Sequence, residues 1–413
     1  MSLLITNIGC LVNVANPKQA IQGNELSILP TIEDAFVLIE HGRIACVGNM
    51  YELELLVPQF PNQVVDAQMA YVLPAWCDSH THIVFAGSRE GEFVDKLKGL
   101  SYADIAAKGG GILNSAHRLA KTPEEELFHA AMIRINEVAK LGTGAIEIKS
   151  GYGLSFEAEL KILRVITRIK NESPLIVKRT FLGAHAYPLA FKDNHAGYLH
   201  LLINEMMPAI ASEKLADYVD VFCEKGFFSV EEMEQVCNAA AKFGLRPKLH
   251  INQLNSIGGL QSAINLAALS VDHLETMTHQ DIRDLAGSSV IGTLLPTAAY
   301  FLRMAFQPAR EMIDAGCKIA VASDFNPGSS PSGNMNTVVS MSCIQMKMLP
   351  EEAINAATIQ GAFAMEADQE AGSIAVGKRA NLIMMKPLPS LAYIPYSFGT
   401  NLIDKVLLNG NFI

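Results

Sequence analysis

The densest group of chemically capable side chains lies in AYVLPAWCDSHTHIVF, where an apolar run leads into Asp78, His80 and His82. Residues two apart on an extended strand face the same side, so His-Thr-His presents two imidazoles together. Imidazole nitrogen suits zinc, iron, nickel or copper. Two polar residues on a loop would give the same pattern, so a metal site needs further ligands. Four residues at the ends of other apolar segments offer them: His185 in TFLGAHAYP, His250 in RPKLHINQLN, His273 in LSVDHLE and Asp324 in CKIAVASDFNPGSSP. Any one of these alone reads more simply as a capping or hydrogen-bonded core residue. Four at the same end of successive strands point to one shared site. The other histidines, His41, His117, His129, His195, His200 and His279, fall in helical or loop patterns and receive no role.

The elements that must position these residues alternate along the chain. Strand candidates are Tyr71–Cys77, Thr143–Lys149, Ile176–Leu182, Tyr218–Cys223, Arg246–Ile251, Leu269–His273, Val290–Leu295 and Lys318–Ala322. Helical patterns fall between them, among them Pro123–Leu141, Glu157–Asn171, Val230–Phe243 and Ala309–Ala315. Eight strand–helix units predict an α/β fold of the (β/α)8 TIM-barrel type, in which active sites form at the C-terminal ends of the strands. A doubly wound sheet is the alternative, but no Gly-rich phosphate fingerprint follows the first strand. Both ends of the chain read as strands and turns. LLITNIGCLVNV and AFVLIEHGRIACVG open it, the second with a hairpin turn at HGR, and GSIAVGKRANLIMMK and NLIDKVLLNGNFI close it. A small β domain assembled from both termini is therefore expected, from residues 1–68 and 374–413, with residues 69–373 forming the barrel.

Composition narrows the function. Of 413 residues 50% are hydrophobic and 18% charged, which excludes a disordered chain. The longest uncharged stretches carry Asn, Gln, Ser, Gly or Pro, so no spanning helix is expected. A net charge of −10 without any Lys/Arg run argues against nucleic acid as a partner. The seven cysteines are scattered and include no CxxC, and the opening MSLLITNIGCLVNV does not read as a signal peptide, so a reducing cytoplasm is expected.

The placement of HTH after the first strand, a His at the fifth and the sixth and an Asp at the eighth resembles the amidohydrolase superfamily. That resemblance implies a metal-dependent hydrolase with a (β/α)8 barrel and a small β-sandwich built from both termini. Over nearly the whole chain, DSHTHIVFAGSREGEF, GGGI, EIKSGYGL, FLGAHAYP, DHLE and SDFNPGSSPSGNM are similar to the imidazolonepropionase family. This implies hydrolysis of the cyclic amide of 4-imidazolone-5-propanoate to N-formimidoyl-L-glutamate in histidine degradation, with another deaminase or cyclic amidase of the superfamily as the alternative. It also implies metal ligands His80, His82, His250 and Asp324 for one Zn2+ or Fe3+ per chain, whose task is to acidify water and polarise the ring carbonyl. His273, Asp324 and His185 are implied as catalytic. Arg89, Tyr102, Tyr152, His185, Gln253, Asn326, Gly328 and Ser329 are implied as substrate contacts, with a small-molecule substrate and a homodimer as the expected partners.

The residue types fit those roles. Arg89 offers a planar fork of donors to the substrate's carboxylate, although a solvated surface Arg is the simpler alternative. Tyr152 lies between two glycines that permit close approach to a ligand, or is an exposed turn residue. The Pro/Gly/Ser loop after Asp324 can present N–H and hydroxyl donors, or is an ordinary turn. Two positions depart from relatives within the superfamily. Gln253 stands where its hydrolytic deaminases carry a proton-shuttling Glu, and an amide exchanges no proton near neutral pH. The carboxylated Lys of its two-metal members would end the fourth strand, where VFCEKG offers only Lys225 beside Glu224. Lys149 ends the second strand instead, so one metal is expected.

Overall fold

The computed structural model describes residues 2–100 and 110–413. Its strands are β1 (Ser2–Val12), β2 (Thr31–Glu40), β3 (Arg43–Asn49), β4 (Gln63–Asp66), β5 (Tyr71–Pro74), β6 (Trp76–Thr81), β7 (Thr143–Lys149) and β8 (Ile176–Ala184), followed by β9 (Tyr218–Cys223), β10 (Arg246–Ile251), β11 (Ser270–His273), β12 (Ile291–Leu294), β13 (Lys318–Val321), β14 (Leu382–Met385), β15 (Ile403–Leu408) and β16 (Asn411–Phe412). They form two eight-stranded sheets.

The first sheet joins both ends of the chain in the order β16-β15-β14-β5-β1-β2-β3, with β4 also on β1. The HGR turn is a two-residue hairpin with His41 and Gly42 at φ 52° and 77°, the left-handed pair that matches strand twist. Asn409-Gly410 makes the equivalent turn between β15 and β16. β1 is broken by a register shift between Ile5 and Ile8, which lets its first half pair with β4 and its second half with β5. Ile5, Leu11, Val37, Val72, Leu382 and Leu407 pack into one core on this sheet.

The second sheet runs β6 to β13 in sequence order, all parallel, with helices such as Glu124–Lys140, Phe156–Glu172 and Val230–Ala241 in the connections. It is the expected (β/α)8 barrel. Strands covered on both faces are mostly apolar, and every residue of β7 and β9 is buried, the charged Glu147, Lys149 and Asp220 included. The ring closes between β13 and β6 through the segment that follows β13. Asp324 N–H donates to the His80 carbonyl at 3.0 Å and His82 N–H to the Phe325 carbonyl at 2.9 Å. Asp78 pins this seam, accepting from Ser323 N–H at 2.9 Å and Ser323 Oγ at 2.5 Å.

One expected strand divides in two. Tyr71–Cys77 reads as a single barrel strand, but Tyr71–Pro74 pairs with β1 and β14 in the terminal sheet, although it lies within the 69–373 segment expected to form the barrel. The chain changes sheets at Pro74-Ala75. Ala75 N–H donates to Asn381 and Trp76 N–H to Gly142, both at 2.9 Å. Proline has no N–H to continue a ladder, and both halves are equally apolar, so composition hides the break. His80 and Thr81 consequently lie on the first barrel strand rather than after it.

Candidate metal and substrate site

Six of the residues singled out by sequence converge at the C-terminal end of the barrel. His80 is on β6 with His82 just beyond it, His250 is on β10, His273 ends β11, His185 follows β8 and Asp324 follows β13. The ligand-capable nitrogens of His80, His82 and His250 lie within 4.8 Å of one another. Asp324 Oδ1 is 3.5 Å from His80 Nε2 and 3.6 Å from His82 Nε2. The chain turns sharply here, with Asp324 and His273 at φ 50° and 88°, a backbone region that costs free energy for residues with a side chain.

The histidines are oriented from below. His80 Nδ1 is 2.7 Å from Asp272 Oδ2, and His250 Nδ1 is 2.8 Å from Asp220 Oδ2. A carboxylate only accepts, so each Nδ1 carries the proton and each Nε2 keeps its lone pair. His80 Nε2 is buried without a hydrogen-bond partner, the mark of a nitrogen waiting for a ligand. Burial holds all three imidazoles well below their ordinary range, with neighbouring cations adding to it. They are therefore neutral, as ligation requires. Burial pushes the Asp324 carboxyl up to about 6, opposed by His273 and by hydrogen bonds from Asn326 and Ser329. Three neutral imidazoles and one carboxylate suit a single zinc or iron ion, so these residues fit a metal.

Sequence reasoning passed over the layer that supports them. Asp220 and Asp272 share one cation, Lys149, whose Nζ lies 2.9 Å and 3.5 Å from them and 2.8 Å from Glu147. Lys248 joins Glu147 from the other side at 3.5 Å, and Thr180 donates to Glu147. All five charged groups are fully buried. Lys149 is thus engaged by three carboxylates beneath the histidines, while Lys225 is exposed in the turn after β9 and Glu224 beside it is buried. Glu224 accepts from Leu254 and Asn255 N–H at 2.8 Å and 3.1 Å and so fixes the loop that carries Gln253.

A cavity of about 60 Å3 opens above the histidines, lined by Tyr152, His185, Phe222, Gln253, His273, Asp324, Asn326 and Ser329 among others. Tyr152 is placed by Glu159, which accepts from Gly151, Gly153 and Leu154 N–H at 3.1, 2.6 and 3.0 Å. A Cβ at Gly153 would lie 2.4 Å from Glu159 N, so this tight loop needs glycine. His185 Nδ1–H donates to the Gly151 carbonyl at 3.0 Å, and the ring stacks on His82 with a 17° interplanar angle. Burial pushes its pKa down to about 4, so it too is neutral. Asn326 is committed to its own loop: Nδ2 donates to the Asp324 carbonyl and Oδ1 accepts from Gly328 and Ser329 N–H.

Arg89 and Gly328 line the adjoining cavity of about 620 Å3, together with Phe85, Lys96 and Arg118. Arg89 is bonded to Glu92 through Nε at 2.9 Å and Nη2 at 2.5 Å. Its Nη1 lies so close to Gly328 that a Cβ there would be 2.3 Å away. The loop 325–331 lies between the two cavities, with Asn326 and Ser329 on one side and Phe325, Pro327 and Gly328 on the other. Tyr102 lies outside the described residues.

The sequence profile of the Amidohydrolase family matches residues 71–413. The chain belongs to this family. Over its whole length the amidohydrolase is 54% identical to the imidazolonepropionase of Flavobacterium johnsoniae, with all of both chains covered. It is 52% identical to that of Flavobacterium psychrophilum, again with full coverage of both. The imidazolonepropionase of Bacillus cytotoxicus is 37% identical, covering 100% of this chain and 96% of that one. Solved structures share the fold. A zinc-bound adenosine deaminase from Xanthomonas campestris superposes with a TM-score of 0.73 at 17% identity over 99% of this chain and 92% of its own. Escherichia coli guanine deaminase gives 0.73 at 14% identity over 100% and 99%. The family implies a metal, and among the described residues His80, His82 and His250 form the group able to hold one.

Proposed function

We propose that this amidohydrolase opens the ring of 4-imidazolone-5-propanoate by hydrolysing its cyclic amide C–N bond, yielding N-formimidoyl-L-glutamate. The observation that carries the reading is the full-length similarity to imidazolonepropionases at up to 54% identity. The site's chemistry supports it. His80, His82, His250 and Asp324 would hold one Zn2+ or Fe3+. When bound, such an ion supplies Lewis acidity to water and to the ring carbonyl.

The chain's own residues account for the rest of the reaction. Asp324, whose Oδ1 lies 3.5 Å from His80 Nε2 and 3.6 Å from His82 Nε2, is suited to accept a proton from the attacking water and return it to the departing ring nitrogen. His273 faces the same cavity and steadies the water. His185 is neutral and spends its one N–H on the Gly151 carbonyl, so its Nε2 is suited to accept from a ring N–H of the substrate and orient the reacting ring. Gln253 has no proton to exchange and serves to orient the ring through its amide. Arg89 takes the propionate from the adjoining cavity, and the loop carrying Asn326, Gly328 and Ser329 closes over the ring together with Tyr152. Tyr102 is assigned to the same pocket from sequence alone.

The seven cysteines are all free thiols, which supports a reducing cytoplasm, and none of the described helices is long and apolar enough to cross a membrane. A homodimer completes the proposed working form. The test is incubation of zinc- or iron-loaded protein with enzymatically generated imidazolone propionate, following its near-UV absorbance. Rapid loss is expected. Absorbance that decays no faster than in buffer overturns the assignment.

A further inference from the structure

Glu275 is a buried carboxylate that neither holds the candidate metal nor lines the cavity. Its side chain is 1% exposed, and its Oε1 lies 3.3 Å from His273 Nδ1. The same Oε1 accepts from Gln307 Nε2 at 3.0 Å. Its Oε2 and Gln307 Oε1 are buried without hydrogen-bond partners among the described residues. An incompletely paired buried carboxylate is costly. The backbone adds to that cost, because His273 and Leu274 are both left-handed, at φ 88° and 66°. Two consecutive strained residues bring the side chains of His273 and Glu275 together.

This arrangement answers a question raised by Gln253. That amide lines the cavity where superfamily deaminases carry a proton-shuttling Glu, so the work near the substrate falls on Asp324 and His273. A histidine ring can flip and can carry its proton on either nitrogen. An acceptor at Nδ1 fixes both choices. We propose that Glu275, gripped by Gln307, is a positioning residue that holds His273 with Nδ1–H turned inward and Nε2 presented to the cavity. The inference rests on the role given to His273 in the proposed reaction. It adds a residue whose effect passes through that ring.

The test is a double-mutant cycle on the metal-loaded enzyme, reading kcat, KM and metal content for Glu275→Leu, Glu275→Gln, His273→Asn and the combined variants. Glu275→Leu is expected to lower kcat about tenfold to a hundredfold, the usual effect of losing such a supporting partner. KM and metal content stay near wild type. Glu275→Gln keeps an acceptor oxygen and should lose only about threefold to tenfold. On the His273→Asn background neither substitution should reduce kcat further, because coupled residues are not additive. A merely structural role would instead lower kcat by the same factor on both backgrounds, and that result overturns the inference. Unchanged kcat in Glu275→Leu also overturns it. Should that variant fail to fold, Glu275→Gln alone carries the cycle, and unchanged kcat there is equally fatal. Near-wild-type kcat in His273→Asn would strike the role of His273 itself, a separate failure visible before Glu275 is touched.

Discussion

Replacing Lys149 with methionine tests whether the buried ion cluster organises the histidines. Methionine keeps most of the side-chain volume and removes the charge. In the native protein this one cation lies 2.9 Å from Asp220 and 3.5 Å from Asp272, the carboxylates that orient His250 and His80. Burial already pushes the Asp220 carboxyl up to about 6, with Lys149 the principal opposing influence. Without Lys149 the His250 backbone N–H remains to oppose burial, so the Asp220 carboxyl rises further and takes up a proton more readily near neutral pH. It then ceases to be the charged acceptor that fixes His250. Breaking a buried ion network by removing one partner costs about 3–5 kcal/mol. With about 2.1 cal/mol/K of unfolding entropy per residue, a chain of 413 residues loses roughly 3–6 °C in Tm for that cost. Metal affinity should fall about tenfold to a hundredfold as the imidazoles lose their fixed orientation. Thermal unfolding of chelator-stripped protein and competitive zinc titration measure the two effects separately. A lower Tm with unchanged affinity would make Lys149 a packing residue only, and unchanged values of both would refute the reasoning.

Arg89→Met removes a charge-assisted hydrogen bond worth about 1.5–3 kcal/mol, so kcat/KM for the carboxylate-bearing substrate should fall roughly tenfold to a hundredfold. Arg89→Lys should fall less but remain impaired, because it loses the fork that also holds Glu92; near-normal kcat/KM in Arg89→Met removes Arg89 from the pocket. Zinc uptake by stripped protein should weaken as pH falls through about 6, because Asp324 is pushed up to about 6 and binds metal only when ionised. With the three histidines held neutral by burial, the decline should approach about one decade per pH unit, and a slope of about two decades per unit or more would show that the histidines titrate as well. Metal content per chain should fall severalfold or more in His80→Ala and in His250→Ala, measured by elemental analysis; unchanged content in either would remove that residue from the ligand set.

The site was legible where two signals coincided. His80, His82, His250, His273 and Asp324 are ligand-type residues, and each lies at or near the end of an apolar run. The barrel's strand order followed from those runs. The supporting layer was legible in principle and passed over. Glu147, Lys149, Asp220, Lys248 and Asp272 are charged residues inside strands that read as buried, in GAIEIK, YVDVFC, RPKLH and LSVDH. A charge in such a strand must find a partner, and opposite charges on adjacent strands were there to pair. The sheet change at Pro74-Ala75 was harder to see, because hydrophobicity cannot distinguish two sheets that both bury the segment. Glu159 reads as an ordinary acidic residue in a helix's first turn, and only the fold brings it onto the Tyr152 loop. The commitment of Arg89 to Glu92, three residues on, was open to a reading of helical spacing.

Product analysis tests the central claim most directly. Metal-loaded protein is supplied with 4-imidazolone-5-propanoate, and both organic product and free ammonia are quantified. Ring hydrolysis predicts stoichiometric N-formimidoyl-L-glutamate, substrate plus one water, with no ammonia released while substrate disappears. Ammonia released in step with substrate loss, or an intact substrate in the presence of bound metal, would contradict it.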